Sequence, residues 1–510
     1  MLLALILLLG LTQASEHDEA RRLQRQHAVL WEPYGAWLIH VPDLGGNPFD
    51  VVATATFEHA ASGERRTTPL FHAGDDWWEF RFTGERTGTW TFGTRSDVDA
   101  LDGWHGEVVV EPNPDPAAEG FLTTAGRHFA AAIDEEGTLA ARTYNVYMNP
   151  VFTELLDDYP TDGDALVRAA DEMLDEVEAH GFDAMFVIVL NSWFSFGARS
   201  YTDHDGENPS LVTFAVLETL ILRAHARGLS VHIWAWGDEE RRWTPIGVGG
   251  INGVADRRLQ RYIAARLGPL PGWTMSYGFD LEEWVTPDEV RSWADYLHEH
   301  MGWPHLLMAR EAHEGVRADG RVFDMGDEKL DVFSTDERPE DDFFDTALAL
   351  QAGADVPLFF ERRFLHTRDD VWDMDTTRRA LWQFTLGGGT GAVWGRLFVD
   401  GPPYPEPEHL RTHRAFWKER LGLDLTVAER MGDVADGYLL RNPEGTRAVF
   451  YVEATAQVPF DVAEAAGPHT AVAVDTRASY QEIDLGVVAA GEHVWSAPYE
   501  SDWAVAVGGF

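Results

Sequence analysis

From about residue 121 to 420 the sequence repeats one pattern eight times: a short strand-like run, then a connection that in most units carries a helical period. The runs are ARTYNVYMN, FDAMFVIVLN, LSVHIWAWGD, WTMSYGFD, PHLLMAR, LDVFST, VPLFFE and GAVWGR. Helical stretches between them include DALVRAADEMLDEVEAHG, SLVTFAVLETLILRAHARG and PDEVRSWADYLHEHMG. Continuously apolar runs such as MFVIVL and PLFF suit strands of a parallel sheet, where both faces are covered and neither meets water. Eight such units in roughly 300 residues approach the usual size of a (β/α)8 barrel. An open doubly wound sheet is the rival, but no Gly-rich phosphate fingerprint follows the first run.

The flanks read differently. Residues 28–111 carry short alternating runs, FDVVATATFEH and WWEFRFTGERTGTWTFGTRS, broken at SGE, Gly84 and Gly88, which predicts a β-sandwich. EPNPDPAAEG, at 111–120, reads as a linker because of its three Pro and one Gly. Residues 424–510 return to short alternating segments, predicting a C-terminal β-sandwich. The expected fold class is therefore multidomain α/β plus β, with a central (β/α)8 barrel over 121–420 flanked by N-terminal and C-terminal β-sandwiches.

Composition limits the partners. A net charge of -45 repels nucleic acid and anionic lipid surfaces, so neutral ligands are expected. The absence of cysteine removes disulfides, cysteine nucleophiles and thiolate metal sites. MLLALILLLGLTQAS, at 1–15, has the length and small-residue ending of a signal peptide, though no Lys or Arg precedes it, and predicts a secreted or periplasmic protein. It is too short to span a membrane, and no later run reaches spanning length, so no membrane insertion is expected. No oligomeric state follows from these features.

In a (β/α)8 barrel the site is built from the C-terminal ends of the strands. The fourth run delivers Asp280 there, with Glu282 and Glu283 in the loop before a Thr286-Pro287-Asp288-Glu289 capping box. The seventh delivers Glu361, followed by Arg362 and Arg363. Glycoside hydrolysis uses two carboxyl groups flanking the scissile bond, so Asp280 and Glu361 are the candidate catalytic acids. Each also has an ordinary structural role open to it, as a residue at a helix start or as an ion-pair member. Asn191 and Trp193 (second run), Trp234, Trp236 and Asp238 (third), Arg310 and His313 (fifth), and Trp394 and Arg396 (eighth) are candidate sugar contacts: flat rings stack on sugars and polar groups serve hydroxyls. Individually, these Trp residues are more often core than platform. His409 and His413 lie four apart, but HLRTH lacks the Glu of a zinc-protease motif and reads as a solvated helix face. Asp203-His204-Asp205 has no further ligand at defined spacing. No metal and no cofactor are expected, because two carboxyl groups suffice for the reaction.

Two sets of residues resemble a known family. NPFD at 47–50, ATATFEHAASGE, WWEFRFTGERTGTWTFGTRS and LDGWHGEVVVEP are similar to an immunoglobulin-like domain of unknown function that precedes bacterial secreted glycosidase-like barrels. RLQRYIAARLGPLPGWTMSYGFD, VPLFFE and LWQFTLGGGTGAVWG resemble the apiosidase-like (β/α)8 glycoside hydrolases, whose relatives are often labelled collagen-binding. The resemblance implies a secreted glycoside hydrolase acting on a poly- or oligosaccharide, with the acid of the fourth strand at Asp280 and that of the seventh at Glu361. More distant retaining glycosidases carry Asn-Glu where this chain has Phe279-Asp280, which makes Glu283 the substitute proton donor. A carbohydrate- or matrix-binding protein on the same scaffold is the alternative.

Overall fold

The computed structural model describes residues 21–148, 159–197, 206–237, 243–311, 323–335, 342–364, 373–395, 406–432, 434, 436–463 and 469–510, with 362–364 and 395 in backbone alone. The predicted signal peptide, 1–15, lies outside these residues. Eight parallel strands form the central sheet: β1 Tyr144–Met148, β2 Ala184–Ile188, β3 Ser230–Trp236, β4 Trp273–Gly278, β5 in two halves (Leu307–Met308 and Arg310–Glu311), β6 Phe333–Thr335, β7 Leu358–Phe364 and β8 Gly391–Gly395. The first half of β5 pairs with β4 and the second with β6, while β8 pairs with β1, so the sheet closes on itself. All eight predicted runs are strands of this barrel.

Seven helices are described around it: α1 Gly163–His180, α2 Leu211–His225, α3 Val254–Arg266, α4 Pro287–Met301, α5 Phe343–Gln351, α6 Met374–Leu386 and α7 Glu408–Arg420. Their starts follow the sequence chemistry. Thr286 Oγ1 accepts from Glu289 N while Thr286 N donates to Glu289 Oε2 at 2.9 Å, the expected capping box, with Pro287 at the first helical position where no N–H is needed. Strand residues alternate between two apolar layers. One lines the lumen (Tyr144, Val146, Phe186, Trp234, Met308, Phe359 and Val393); the other faces the helices (Tyr147, Val187, Ile233, Met275, Phe333, Phe360 and Trp394).

Residues 122–142, read in sequence as the start of the barrel, instead form a three-stranded antiparallel sheet, turned at Gly126 and Gly137, both at positive φ. Leu122 and Phe129 join the lumen cluster from the N-terminal end, with the Phe129 ring 5.1 Å from Tyr144 and 6.2 Å from Phe359. This sheet plugs the barrel floor.

The N-terminal sandwich pairs a five-stranded sheet with a three-stranded one around Trp37, Phe57, Phe80, Phe82, Trp90 and Phe92. Its junction with the barrel is charged: Glu218 of α2 accepts from Arg81 of the sandwich at 2.6 Å and from Arg266 of α3 at 2.5 and 3.0 Å, all three side chains being buried. At the C-terminus one six-stranded sheet bends at irregularities between Val452 and Gln457 in its long central pair, burying Phe450, Phe460 and Trp503 on one side. Its other side packs Tyr438 and Tyr451 on Trp382, Phe416 and Trp417 of α6 and α7.

That packing corrects one expectation. His409 and His413 are buried, not solvated, because the C-terminal sheet covers α7. His413 Nε2 meets Thr385 Oγ1 at 3.0 Å, and burial pushes the imidazole down to about 3. The unfolded chain takes up that proton near 6.5, so the stability tied to neutral His413 is complete above 6.5 and is lost as pH falls toward 3. Between pH 7 and pH 5 this site alone accounts for about 2 kcal/mol. His413→Gln is expected to reduce the acid sensitivity of the urea midpoint over that interval by this amount; an unchanged pH dependence would contradict the assignment.

Candidate active site

Glu361 follows Phe359 by two residues on β7 and so shares its lumen-facing side, while Leu358 and Phe360 face the helices. Three other strands surround its carboxyl group. Oε1 accepts from Trp234 Nε1 and lies 3.1 Å from His232 Nε2, both on β3. Oε2 accepts from Ser276 Oγ of β4 at 3.0 Å and Ser334 Oγ of β6 at 2.6 Å. A relay backs His232: its Nδ1 is 2.8 Å from Thr274 Oγ1, which is 2.6 Å from Tyr144 Oη. Every group is satisfied if Tyr144 donates to Thr274, Thr274 to Nδ1, and Nε2–H to Glu361. The Glu361 side chain is 0% exposed.

Above this cage stands a second charged group. Arg310 is in register with Ser334 and thus also faces the lumen. Its guanidinium lies 5.4 Å from the Trp234 ring and 5.8 Å from the Phe279 ring, within cation–π range. Nη2 donates to Asp280 Oδ1 at 2.8 Å. Asp280 is 39% exposed in its side chain, so the two predicted acids occupy opposite environments, one open and one sealed. Trp234 joins them, its N–H on Glu361 and its ring beneath Arg310.

The backbone is strained here. Asp280 (φ 51°) and Leu190 (φ 53°), each two residues beyond a barrel strand, occupy the left-handed region, at about 1–2 kcal/mol for a residue such as Leu. Gly278 makes the turn into Phe279-Asp280 possible: at its φ of 157° a Cβ would fall 2.6 Å from Trp236 O. Strain of this kind concentrates at functional sites. Asn191, next to Leu190, is wholly buried, and neither atom of its amide has a partner among the described residues. Such orphaned groups are rare in folded proteins and call for a ligand or a water.

The other predicted contacts divide. Trp193, Trp236 and Trp394 are fully buried in the layer between strands and helices, where Trp193 donates to Ala235 O and Trp394 to Asn145 Oδ1. They pack the barrel, and no ring face is left for a sugar, which revises the expectation for all three. Glu283 sits half-buried in a 3-10 turn, Leu281–Glu283, directly after Asp280. Asp238, His313 and Arg396 lie outside the described residues, as do Asp203, His204 and Asp205. Trp234 was expected at the end of the third strand as a sugar contact, whereas His232, Ser276 and Ser334 were not anticipated. The available signal was a polar residue inside an otherwise apolar parallel strand, as in VHIWAW and VFST, which must find a buried partner.

Comparison with known proteins agrees with this architecture. Residues 31–97 match the model of DUF5060, a domain of unknown function. A solved structure from Bacteroides vulgatus, described as a "putative glycoside hydrolase", superposes with a TM-score of 0.69 over 95% of this chain and 100% of its own, at 14% identity. The chain has the fold of glycoside hydrolases. A family 5 glycoside hydrolase from Bacteroides vulgatus (TM-score 0.54, 12% identity, 76% of this chain and 92% of its own) and a further glycoside hydrolase (0.55, 13%, 76% and 97%) share it. No curated protein matches in sequence. Among the described residues no group of three or more His, Asp or Glu is placed to hold a metal, and no helix is long and apolar enough to cross a membrane.

Proposed function

We propose that the protein is an exported glycoside hydrolase of apiosidase-like type that cleaves a neutral poly- or oligosaccharide, using Asp280 and Glu361. One observation carries this reading: an acid from β7 and an acid from the end of β4 stand on the lumen side of one barrel, linked through Trp234 and Arg310. Asp280, open to solvent, protonates the leaving oxygen, and Glu283 is the substitute donor. Arg310 orients Asp280 and stabilises the carboxylate that is left once the proton has moved to the leaving oxygen. Glu361 attacks or stabilises the anomeric centre, with His232 and the two serines holding its orientation. Asn191 offers its unpartnered amide to a sugar hydroxyl.

Screening the full chain against neutral polysaccharides and aryl glycosides tests the reading. Asp280→Asn and Glu361→Gln are each expected to lower kcat/KM by about 10²–10⁴-fold with the circular dichroism spectrum retained. Full activity in either variant refutes that residue's role. The complete burial of Glu361 favours a second reading, a carbohydrate-binding protein on a hydrolase scaffold. It would show retention of oligosaccharide without turnover, unchanged by Glu361→Gln.

A further inference from the structure

The three-stranded sheet of the N-terminal sandwich, 35–40, 71–74 and 77–82, has two unlike ends. At one, Arg81 binds Glu218 midway along α2, and Thr83 donates to Pro269 O beyond the end of α3. At the other, a Cβ on Gly74 would touch Leu211, the first residue of α2, at 3.4 Å. Because α2 follows β2, its start lies at the C-terminal face of the barrel, where the candidate active site opens. The strand 77–82 therefore runs beside α2 with Trp77 level with the barrel mouth. Asn47 Nδ2 donates to Asn208 Oδ1 at 2.8 Å, fixing the sandwich to the residues that lead into α2, and Arg258 Nε of α3 donates to Asp50 at 2.6 Å.

At that level the sheet exposes an aromatic surface. His40 and Trp77 are cross-strand partners with rings 4.7 Å apart at 41°. Trp77 is 42% exposed, and Leu38, on the same face of the edge strand, is 52% exposed. A flat indole with an aliphatic and an imidazole neighbour is costly to leave in water and matches the apolar face of a sugar ring. Asp75 and Asp76 adjoin it, both exposed, which disfavours a polyanion. A second copy of the chain is a poor occupant: a stable interface needs about 800 Å² per partner, whereas one Trp side chain covers at most about 250 Å².

We infer that Trp77, with His40 and Leu38, forms an accessory platform that stacks a neutral polysaccharide chain extending from the barrel mouth. This rests on the glycoside hydrolase reading and adds a substrate class to it. A helix of about 10 Å diameter separates platform from lumen, so only a chain of several sugar units reaches both. The protein should then favour polymers over short glycosides.

The test is affinity electrophoresis of the full chain in gels containing β-glucan, xylan, mannan or polygalacturonate. At least one neutral polymer is expected to retard the protein. Trp77→Ala should weaken that dissociation constant about tenfold, Trp77→Phe should retain most of it, and aryl-glycoside turnover should not change. Equal retardation of Trp77→Ala, retardation by polygalacturonate alone, or none in any neutral gel overturns the inference. So does a Trp77-dependent dimer, which would assign the patch to a second copy. Activity of Asp280→Asn and Glu361→Gln reports on the catalytic reading independently, so the two can fail separately.

Discussion

Glu361→Ala lowers the apparent unfolding free energy by about 3–5 kcal/mol, whereas Glu361→Gln costs only about 1–2 kcal/mol. Alanine leaves Trp234, His232, Ser276 and Ser334 without an acceptor in a space closed to solvent. Each orphaned donor costs about 1–3 kcal/mol when nothing replaces its partner, less where a water enters the space vacated. Glutamine keeps the shape and one acceptor oxygen but turns the other position into a donor facing donors. Guanidinium unfolding of the two variants beside the wild type measures both. A loss below about 1 kcal/mol for alanine would mean that water already serves these groups and that the cage is open. The comparison also bears on catalysis, because a residue this embedded must be tested with the glutamine variant, whose fold survives.

Glu218→Ala is expected to cost about 3–5 kcal/mol and to loosen the N-terminal sandwich from the barrel. Burial alone would push the Glu218 carboxyl up, but Arg81 and Arg266 together hold it below its ordinary value. Removing it leaves two buried guanidinium groups facing each other without their shared anion. Arg81 retains Glu79 as a second partner, whereas Arg266 keeps, among the described residues, neutral contacts such as those to Tyr262, Leu211 and the Phe71 ring. Limited proteolysis at the 111–120 linker should accelerate in Glu218→Ala, with Glu218→Gln intermediate. A variant as resistant as the wild type would show that apolar contacts such as Trp303 against Phe82 hold the junction unaided.

The barrel was legible because parallel strands buried on both faces must be apolar throughout, and MFVIVL or PLFF have few other uses. The plug at 122–142 was missed although Gly126 and Gly137 marked its turns, since a hairpin and a barrel strand look alike over five residues. His409 and His413 were misjudged for a different reason: EHLRTHR is polar in sequence, and only the C-terminal sheet, distant along the chain, buries it. At the site, alternation alone places Glu361 beside Phe359 in the lumen. It could not foretell that Trp394, one residue after Val393, turns toward the helices, because that needs the register of the closed sheet. The cage around Glu361 draws on four strands, and no local spacing encodes such a meeting.

The plug under the barrel has a consequence for traffic. With Phe129 and Leu122 stopping the lower end, the barrel is a dead-end shaft, and whatever reaches the depth of Glu361 must depart by the way it came. On the proposed hydrolase reading, cleaved fragments and incoming chains would then compete for a single doorway. Turnover on long polymers would be governed by how fast that doorway clears, and product inhibition would be its kinetic signature.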